Sequence, residues 1–351
     1  MENEKVLAIY VGPHPSHKLM GDAISATPFF IKQRAKKNSN ALINSVLLAK
    51  HALSVPSDYE IILCESCYYY PALKKKLELL GKSKIINMIT SPIFYDILEK
   101  RVTGTTANIL MDLAKYTDGY LVSGKYGEEI YKKLGLKKPY RIIYPFVLDE
   151  RYEKLLKIEN KLQTKTIAII AGNDPKTKGL DILLQAFRLV YEKDPKIKLK
   201  ILGNIPKNEI LAVAGFDGKE KCVENIEFIE NTNDIPKFLS TASLYVQPSR
   251  GETFSVAALE AMLTGVPVMV SEQTGVREVV QHVRGDFVAK LEADILATGI
   301  IEYFKMSNQQ KLELGKKFQE AAKPYNQKTQ LIHFKKQFTS LMDEIKKIKH
   351  K

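Results

Sequence analysis

Short apolar runs alternate along the chain with longer segments that mix apolar and polar residues. Five such runs in the first half predict strands, at 6–12, 59–64, 84–90, 119–123 and 140–147. Helical spacing predicts helices at 41–53 and 71–81, the second with a proline at its start and a glycine at its end. Apolar strands that alternate with helices imply a parallel sheet with helices on both faces.

The same pattern restarts after a charged stretch, residues 150–164, in which no strand is predicted. Five further strands are expected at 166–172, 197–203, 225–230, 242–249 and 266–272. Helices are expected at 181–193, 234–242 and 255–265, and residues 308–350 read as almost wholly helical. We therefore predict an α/β protein of two Rossmann-like domains, 1–150 and 165–324. Their ligands are expected beyond the carboxyl ends of the strands and in a cleft between the domains.

The chain length of 351 residues suits two domains of about 150 residues each. There is no run of about 18 apolar residues, and the acidic start MENEKVLAIYVG lacks the features of a signal peptide. These features predict a cytoplasmic protein. Three cysteines cannot form a disulfide framework, and the pair Cys64 and Cys67 has no second pair or histidine cluster to complete a zinc site.

The net charge of +13 is spread evenly, with +6 on residues 1–150 and +7 on the remainder. A nucleic-acid face usually concentrates its basic residues, so this distribution argues against nucleic acid as a partner. A basic surface remains compatible with anionic lipid or phosphorylated substrates.

The most informative segment is 248–271, PSRGETFSVAALEAMLTGVPVMVS. Gly251 permits a tight turn, and Ser255 is a candidate N-cap for the helix that follows. The amides of residues 254–256 then lie at a helix N-terminus, which is an anion site suited to a diphosphate.

Glu252 precedes this helix and Glu260 lies on it, eight positions later. A carboxylate can accept hydrogen bonds from two adjacent hydroxyls, such as those of a ribose or a hexose. Either residue alone would be an ordinary surface glutamate. Together, on either side of a phosphate-binding turn, they suit a nucleotide diphosphate sugar.

A second strand-to-helix segment, 171–187, contains Lys178. Its order of residues is not that of a Walker phosphate loop, because Lys178 precedes Gly179. A lysine at the mouth of a cleft would neutralise phosphate charge and stabilise a leaving nucleoside diphosphate, although a single loop lysine is more often only solvated.

These segments resemble the retaining GT-B glycosyltransferases of family 4, the glycosyl transferases group 1. The family's Glu-x7-Glu motif and its flanking positions are matched by Pro248, Ser249, Glu252, Phe254, Glu260, Ala261, Met262, Gly265, Pro267 and Val268. A downstream motif is matched by Ser271, Gly275 and Glu278, and an upstream strand ends at the matching Gly203. Weaker similarity at 117–123 and 144–149 extends the resemblance over nearly the whole chain.

The resemblance implies transfer of a sugar, with retention, from a nucleotide sugar to a glycan, lipid or other acceptor bound mainly by the first domain. It assigns Glu260 to the ribose, Glu252 to the donor sugar, Lys178 and amides 254–256 to the phosphates, and the backbone at Ile229 and Glu230 to the base. The predicted catalytic residues are Glu252 and Lys178. The donor-binding set is Asn173, Lys178, Gly203, Ile229, Glu230, Gly251, Glu252, Thr253, Phe254, Ser255, Val256 and Glu260. No cofactor or metal is expected, and a terminal helix, 325–351, is expected to return to the first domain.

The sequence departs from the family pattern at several positions. Asn173 stands where the family usually has an arginine, with Lys176 nearby as a substitute charge, and Thr253 and Ser255 stand where glycines are common. The first-domain glycine pair is reduced to Gly21, and the usual histidine is replaced near Thr90 and Ser91. On the acceptor side the candidates are His14, Gly21 and Ser91.

Alternatives remain open. Residues 28–37 read either as an interfacial membrane element, which would give peripheral contact with the inner face of the membrane, or as the edge of a core helix. Asn173 favours a second function, a non-catalytic nucleotide-sugar-binding protein on the same scaffold. An epimerase would need several acid and base side chains in the cleft, and a phosphorylase a much longer chain. Neither is supported by the sequence.

Overall fold

Runs of β-branched and other apolar residues form two separate parallel sheets. The computed structural model describes residues 4–12, 14–31, 41–160, 162–230, 232 and 234–348, with the backbone alone of 41–45. The chain divides into two units, Met1–Pro145 with Lys328–Lys351, and Phe146–Gln327.

The first unit is built on a six-stranded parallel sheet. Its strands are β1 (Val6–Tyr10), β2 (Thr27–Phe30), β3 (Ile61–Glu65), β4 (Lys84–Ile89), β5 (Gly119–Ser123) and β6 (Tyr140–Ile143). Its first helices are α1 (Pro15–Ala23), α2 (Ala41–Ser54), α3 (Tyr69–Lys76), α4 (Ile93–Leu98), α5 (Gly104–Ala114) and α6 (Gly124–Lys133). The strand order is β2-β1-β3-β4-β5-β6. Every residue of β1 and β5 is buried, as expected for a parallel sheet covered on both faces.

The second unit repeats the design with a second six-stranded sheet. Its strands are β7 (Thr166–Ile170), β8 (Lys198–Leu202), β9 (Ile226–Ile229), β10 (Leu244–Gln247), β11 (Val268–Ser271) and β12 (Val288–Ala289). Its helices are α7 (Asp149–Leu156), α8 (Leu180–Lys193), α9 (Lys207–Val213), α10 (Ile235–Ser240), α11 (Val256–Leu263), α12 (Arg277–Val283), α13 (Ala293–Lys305) and α14 (Asn308–Ala322). Short 3₁₀ helices span Lys221–Asn225, Gly285–Phe287 and Lys323–Tyr325. The strand order is β12-β11-β10-β7-β8-β9, all parallel.

The last helix, α15 (Gln327–Ile348), packs on the sheet of the first unit. A Cβ atom on Gly119 of β5 would lie only 2.8 Å from Ile345 Cδ1, so the helix side chain packs directly on the strand backbone. Arg141 of β6 donates to Ser340 Oγ at 3.0 Å. The expected return of the terminal helix is therefore confirmed, together with the α/β class and the two Rossmann-like units. Residues 349–351 lie outside the described residues.

The structure corrects the prediction at residues 28–30. The helix edge does not describe them, because they belong to the edge strand β2, where a proline without a backbone N–H is tolerated. Residues 32–37 of that prediction lie outside the described residues. No described helix combines the length and the apolarity that crossing a membrane would need.

The predicted strand 140–147 is also too long, since β6 ends at Ile143. Beyond Pro145 the buried Val147 donates its amide to Tyr325 O at 3.1 Å. The apolar run thus continues as buried backbone that is not part of the sheet. The unit boundary follows Pro145, so α7 lies in the second unit.

Candidate functional site

The strand order places a switch point between β7 and β10 in the second unit. From β7 the chain proceeds to β8 and β9 on one side, and from β10 to β11 and β12 on the other. In open α/β sheets, ligands bind beyond the carboxyl ends of the strands at such a point. The loops that leave these two strands are 171–179 and 248–255, the two segments singled out by the sequence.

The two loops touch each other through backbone. Gly179 has a φ of +68°, and a Cβ there would lie 1.8 Å from Pro248 O. The amide of Arg250 donates to Thr177 O at 2.8 Å. The Arg250 guanidinium forms two 2.7 Å bonds to the two carboxylate oxygens of Asp181, in the first turn of α8. The loops therefore form one connected surface at the switch point.

Lys178 and Glu252 meet across this surface. The Lys178 ammonium contacts Glu252 Oε2, and both side chains are about one-fifth exposed. Gln247 Nε2 lies 3.4 Å from the same carboxylate oxygen. The sequence assigned one residue to the phosphates and the other to the donor sugar, and the structure brings them into direct contact.

The turn into α11 is held in an unusual backbone conformation at Ser255. Its φ of +88° is rare for a residue with a side chain. Its hydroxyl nevertheless acts as the N-cap of α11 and accepts from the Ala258 amide at 3.3 Å, as predicted. The amides of Val256 and Ala257 belong to the first helical turn, where no preceding carbonyl is available to accept them.

Buried Gln247, at the end of β10, connects the parts of the turn. Its Oε1 accepts from the Tyr245 hydroxyl at 2.7 Å and from the Ser255 hydroxyl at 3.0 Å. Its Nε2 lies 3.1 Å from Ser249 Oγ. A single amide thus fixes the residues that surround Glu252.

A third loop, after β11, supports Glu252 from the other side. The Glu252 amide donates to Gln273 O at 3.0 Å, and the Gly275 amide donates to Glu252 O at 2.8 Å. A Cβ on Gly275 would lie 1.9 Å from Thr253 O. The downstream motif glycine therefore permits close approach of two loop backbones.

Glu260 is almost completely buried on α11, with 5% of its surface exposed. Arg151 of α7 donates to its Oε1 at 2.8 Å. Burial raises the pKa of Glu260, and the neighbouring guanidinium offsets part of that rise. Among the described residues Arg151 is the one hydrogen-bond partner of this carboxylate, so Oε2 has none.

The two glutamates share a neighbour in Tyr245. Burial raises the pKa of the Tyr245 phenol, and the negative charges of Glu252 and Glu260 raise it further. Tyr245 is also bonded to Gln247, which contacts Glu252. Both carboxylates therefore act on the same buried hydroxyl beneath the switch point.

The other predicted donor-binding positions are distributed around these loops. A Cβ on Gly203 would lie 2.3 Å from Gly172 O, and the Gly203 amide donates to Ile229 O at 3.0 Å. Asn173 and Glu230 are exposed. Phe254 is buried, and the centroids of its ring and the Tyr325 ring are 5.4 Å apart. The Phe254 side chain therefore anchors the turn to the core.

The acceptor candidates lie at the carboxyl end of the first unit's sheet. His14 is the N-cap of α1, and its Nδ1 accepts from the Ser16 amide at 3.3 Å. Buried Gly21 packs closely against Tyr10 of β1. A Cβ on Gly21 would lie 2.1 Å from the Tyr10 hydroxyl oxygen. The Ser91 amide donates to Ser66 Oγ at 3.0 Å.

Ser91 lines a cavity of about 250 Å³ beside the ends of β1, β3 and β4. Glu65 lies in its wall and contacts His17 Nδ1. A histidine–carboxylate pair therefore borders this cavity.

Three contributors to the donor site carried no recognisable sequence signal: Arg151, Asp181 and Gln247. Arg151 lies 109 positions from the residue it contacts, so spacing cannot reveal the pair. Arg250 belongs to the motif segment, but its role depends on a partner 69 positions away. No group of three or more His, Cys, Asp or Glu side chains in the described part of the chain is arranged to hold a metal ion.

Comparison with known proteins agrees with this geometry. Residues 152–324 match the family described as Glycosyl transferases group 1. An uncharacterized glycosyltransferase of Haemophilus influenzae is 30% identical over 162 residues, which are 43% of this chain and 45% of that protein. The chain spans about half the length of the curated relatives that it matches.

Solved structures share the fold. A sucrose-phosphate synthase of Thermosynechococcus elongatus superposes with a TM-score of 0.76 at 15% identity, over 97% of this chain and all of the other. HepE of Anabaena, solved in complex with UDP-glucose, gives 0.72 at 16% identity, over 96% of this chain and all of the other. The protein therefore has the GT-B fold of two Rossmann-like units. The match to Glycosyl transferases group 1 lies within its second unit and spans just under half of the chain.

Proposed function

We propose that this protein is a retaining glycosyltransferase that moves a sugar from a nucleotide diphosphate sugar to a hydroxyl of a glycan or lipid acceptor. The observation that carries the proposal is the contact between Lys178 and Glu252 at the switch point of the second sheet. A cation for phosphate and a carboxylate for sugar hydroxyls lie side by side there, next to the N-terminus of α11.

The chemistry follows from this arrangement. When the sugar leaves, negative charge grows on the diphosphate, and a preorganised cation with helix amides stabilises that charge. Lys178 and the amides of Val256 and Ala257 are the groups in place for this role. Glu252 would exchange its contact with Lys178 for the hydroxyls of the sugar. These groups supply the positive charge locally, so we propose a reaction without a metal ion.

The nucleotide portion is assigned to Glu260, with the diphosphate between Glu260 and Glu252. The GT-B fold and the family match support this reading, and the HepE complex shows the same fold holding UDP-glucose. The acceptor side is assigned to the first unit around His14, Gly21 and Ser91. A cytoplasmic location and peripheral contact with the inner face of a membrane belong to the same proposal.

The test is a thermal-shift screen with UDP-, GDP- and ADP-sugars, followed by detection of released nucleoside diphosphate with and without acceptors. One donor should raise Tm through preferential binding to the folded state. Glu260→Ala should abolish that rise, whereas the exposed Glu209→Ala should retain it.

The screen also distinguishes the alternative, a non-catalytic nucleotide-sugar-binding protein, which Asn173 favours. Such a protein would show the Tm shift but release no nucleoside diphosphate with any acceptor. Retention of full donor affinity by Glu260→Ala would refute the site assignment.

A further inference from the structure

A cavity of about 400 Å³ in the second unit lies beside Arg151, the hydrogen-bond partner of Glu260. Arg151 is part of its wall and also binds the Glu260 carboxylate. The rest of the wall is formed by α7, by the residue before it and by the first residues of α10. The lining residues are Leu148, Glu150, Arg151, Lys154, Asp234 and Pro236.

The chemistry of this wall suits a nucleoside better than a bare anion. Arg151 and Lys154 provide donors, Glu150 and Asp234 provide acceptors, and Leu148 adds apolar surface. A nucleobase combines donors and acceptors on its edge with apolar faces, and its size fits a cavity of this volume. An isolated phosphate would be repelled by the two carboxylates.

The cavity also lies where the donor's nucleoside is expected. Asp234 follows β9 and is the N-cap of α10, with Oδ1 accepting from the Lys237 amide at 3.0 Å. The end of β9 is the region assigned to the base. Arg151 thus joins the region of the base to Glu260, the residue assigned to the ribose.

Arg151 is placed to keep the buried Glu260 carboxylate ionised. A carboxylate as buried as Glu260 would tend to be neutral without a cation beside it. The guanidinium occupies Oε1 and leaves Oε2 for a ribose hydroxyl. Arg151 is 45% exposed, so part of its guanidinium stays accessible from the cavity while it holds Glu260.

We propose that Arg151 is a positioning residue that orients the Glu260 carboxylate toward a nucleoside held in the adjacent cavity. This inference rests on the proposed function and extends it by a residue and a subsite. The groups around Glu260 that bear on its charge are Arg151 of α7 and the Tyr245 phenol of β10. β11, on the other side of α11, has no ionisable side chain.

The first test measures the affinity for UDP, GDP and ADP as a function of pH in Arg151→Gln and Arg151→Lys. Without the guanidinium, Glu260 should take up its proton at a higher pH. Nucleotide binding should therefore weaken by about tenfold, and the loss should grow as the pH falls. Arg151→Lys should restore most of the affinity. The matched control is Lys157→Gln, which removes an exposed charge from the end of the same helix.

The second test locates the ligand directly. Lys154→Cys places a thiol in the cavity wall, and its reaction with a maleimide should slow when the preferred nucleotide is added. Lys157→Cys should react at the same rate with and without nucleotide. The natural cysteines Cys64, Cys67 and Cys222 are buried, so labelling reports the introduced thiol.

The outcomes separate the two proposals. Nucleotide binding to Arg151→Gln that matches the wild type at every pH, or labelling of Lys154→Cys that nucleotide does not change, would overturn the role of Arg151 and its cavity alone. A wild-type chain that binds none of the three nucleotides would overturn the proposed function, and this inference with it.

Discussion

Arg250 and Asp181 form a two-point ion pair that joins the loop after β10 to the first turn of α8. Both bonds are 2.7 Å long, and the two side chains are only 24% and 14% exposed. The geometry is that of a guanidinium matched to a carboxylate, a stronger contact than a single ammonium bond provides. Because Lys178 and Glu252 lie on the two loops so joined, the pair fixes the distance between them.

Arg250→Ala should lower the free energy of unfolding of the second unit by about 2 kcal/mol, since it leaves a largely buried carboxylate without its partner. It should also weaken nucleotide binding. Arg250→Lys should recover only part of both losses, because an ammonium cannot reproduce the two parallel bonds. Urea unfolding and calorimetric titration measure the two effects.

The control is Lys305→Ala, which breaks an exposed pair with Glu302 and should change stability by less than about 1 kcal/mol. Equal effects of Arg250→Ala and Lys305→Ala would show that the Arg250–Asp181 pair does not connect the loops.

Gly179 is predicted to be intolerant of any side chain. Its φ of +68° is shared by Gly135, where a Cβ would have nothing within 4 Å. Gly135→Ala should therefore cost about 1 kcal/mol for the backbone conformation alone. Gly179→Ala adds a clash with Pro248 O and should cost at least about 3 kcal/mol or prevent folding of the second unit. Comparison of their Tm values separates the steric effect from the conformational one.

The strand–helix alternation was sufficient to predict the two Rossmann-like units, because buried parallel strands are continuous apolar runs. Strands β2 and β12 were missed because neither is a continuous buried apolar run. β2 is a short edge strand with exposed residues and a proline, and β12 has only two residues. Neither produces a pattern that distinguishes it from a loop.

The candidate site was predictable only where its residues are close in sequence. Gly251, Ser255 and Glu260 belong to one motif, and Ser255 is the N-cap that the sequence predicted. Arg151 contributes through packing of α7 against α11, a tertiary contact that no local pattern encodes. Gln247 is an ordinary strand residue in sequence, and its role arises from the four side chains that it contacts.

Ser255 combines an N-cap with a strained backbone, and two substitutions distinguish these contributions. Ser255→Ala loses the cap and the bond to Gln247 but keeps the unfavourable positive φ, so it should cost about 2 kcal/mol. Ser255→Gly loses the same bonds but relieves the strain and should cost about 1 kcal/mol. Denaturant unfolding measures both.

Ser307 provides the reference, since it is the N-cap of α14 with an ordinary φ of −65°. The gap in stability between the alanine and glycine variants should be larger at position 255 than at 307. Equal gaps at the two positions would argue that the backbone at Ser255 is not strained.

Glu260 is expected to bind ligand at the expense of stability. Its pKa is raised in the folded state by burial, which Arg151 offsets only in part, so the fold favours the neutral carboxyl. For a group with a raised pKa, stability is fully present below the unfolded pKa of about 4.3 and is lost as pH rises through the folded value. Glu260→Gln removes this loss because glutamine is neutral at every pH.

Glu260→Gln should therefore have a Tm equal to or above that of the wild type at about pH 7, and the difference should shrink toward about pH 4. The same variant should bind nucleotide much more weakly at neutral pH, because one acceptor oxygen becomes an NH₂ donor and the negative charge is lost. A variant less stable than the wild type at neutral pH would mean that the bond to Arg151 outweighs the burial of charge. Paired melting curves at the two pH values, with and without nucleotide, decide between these results.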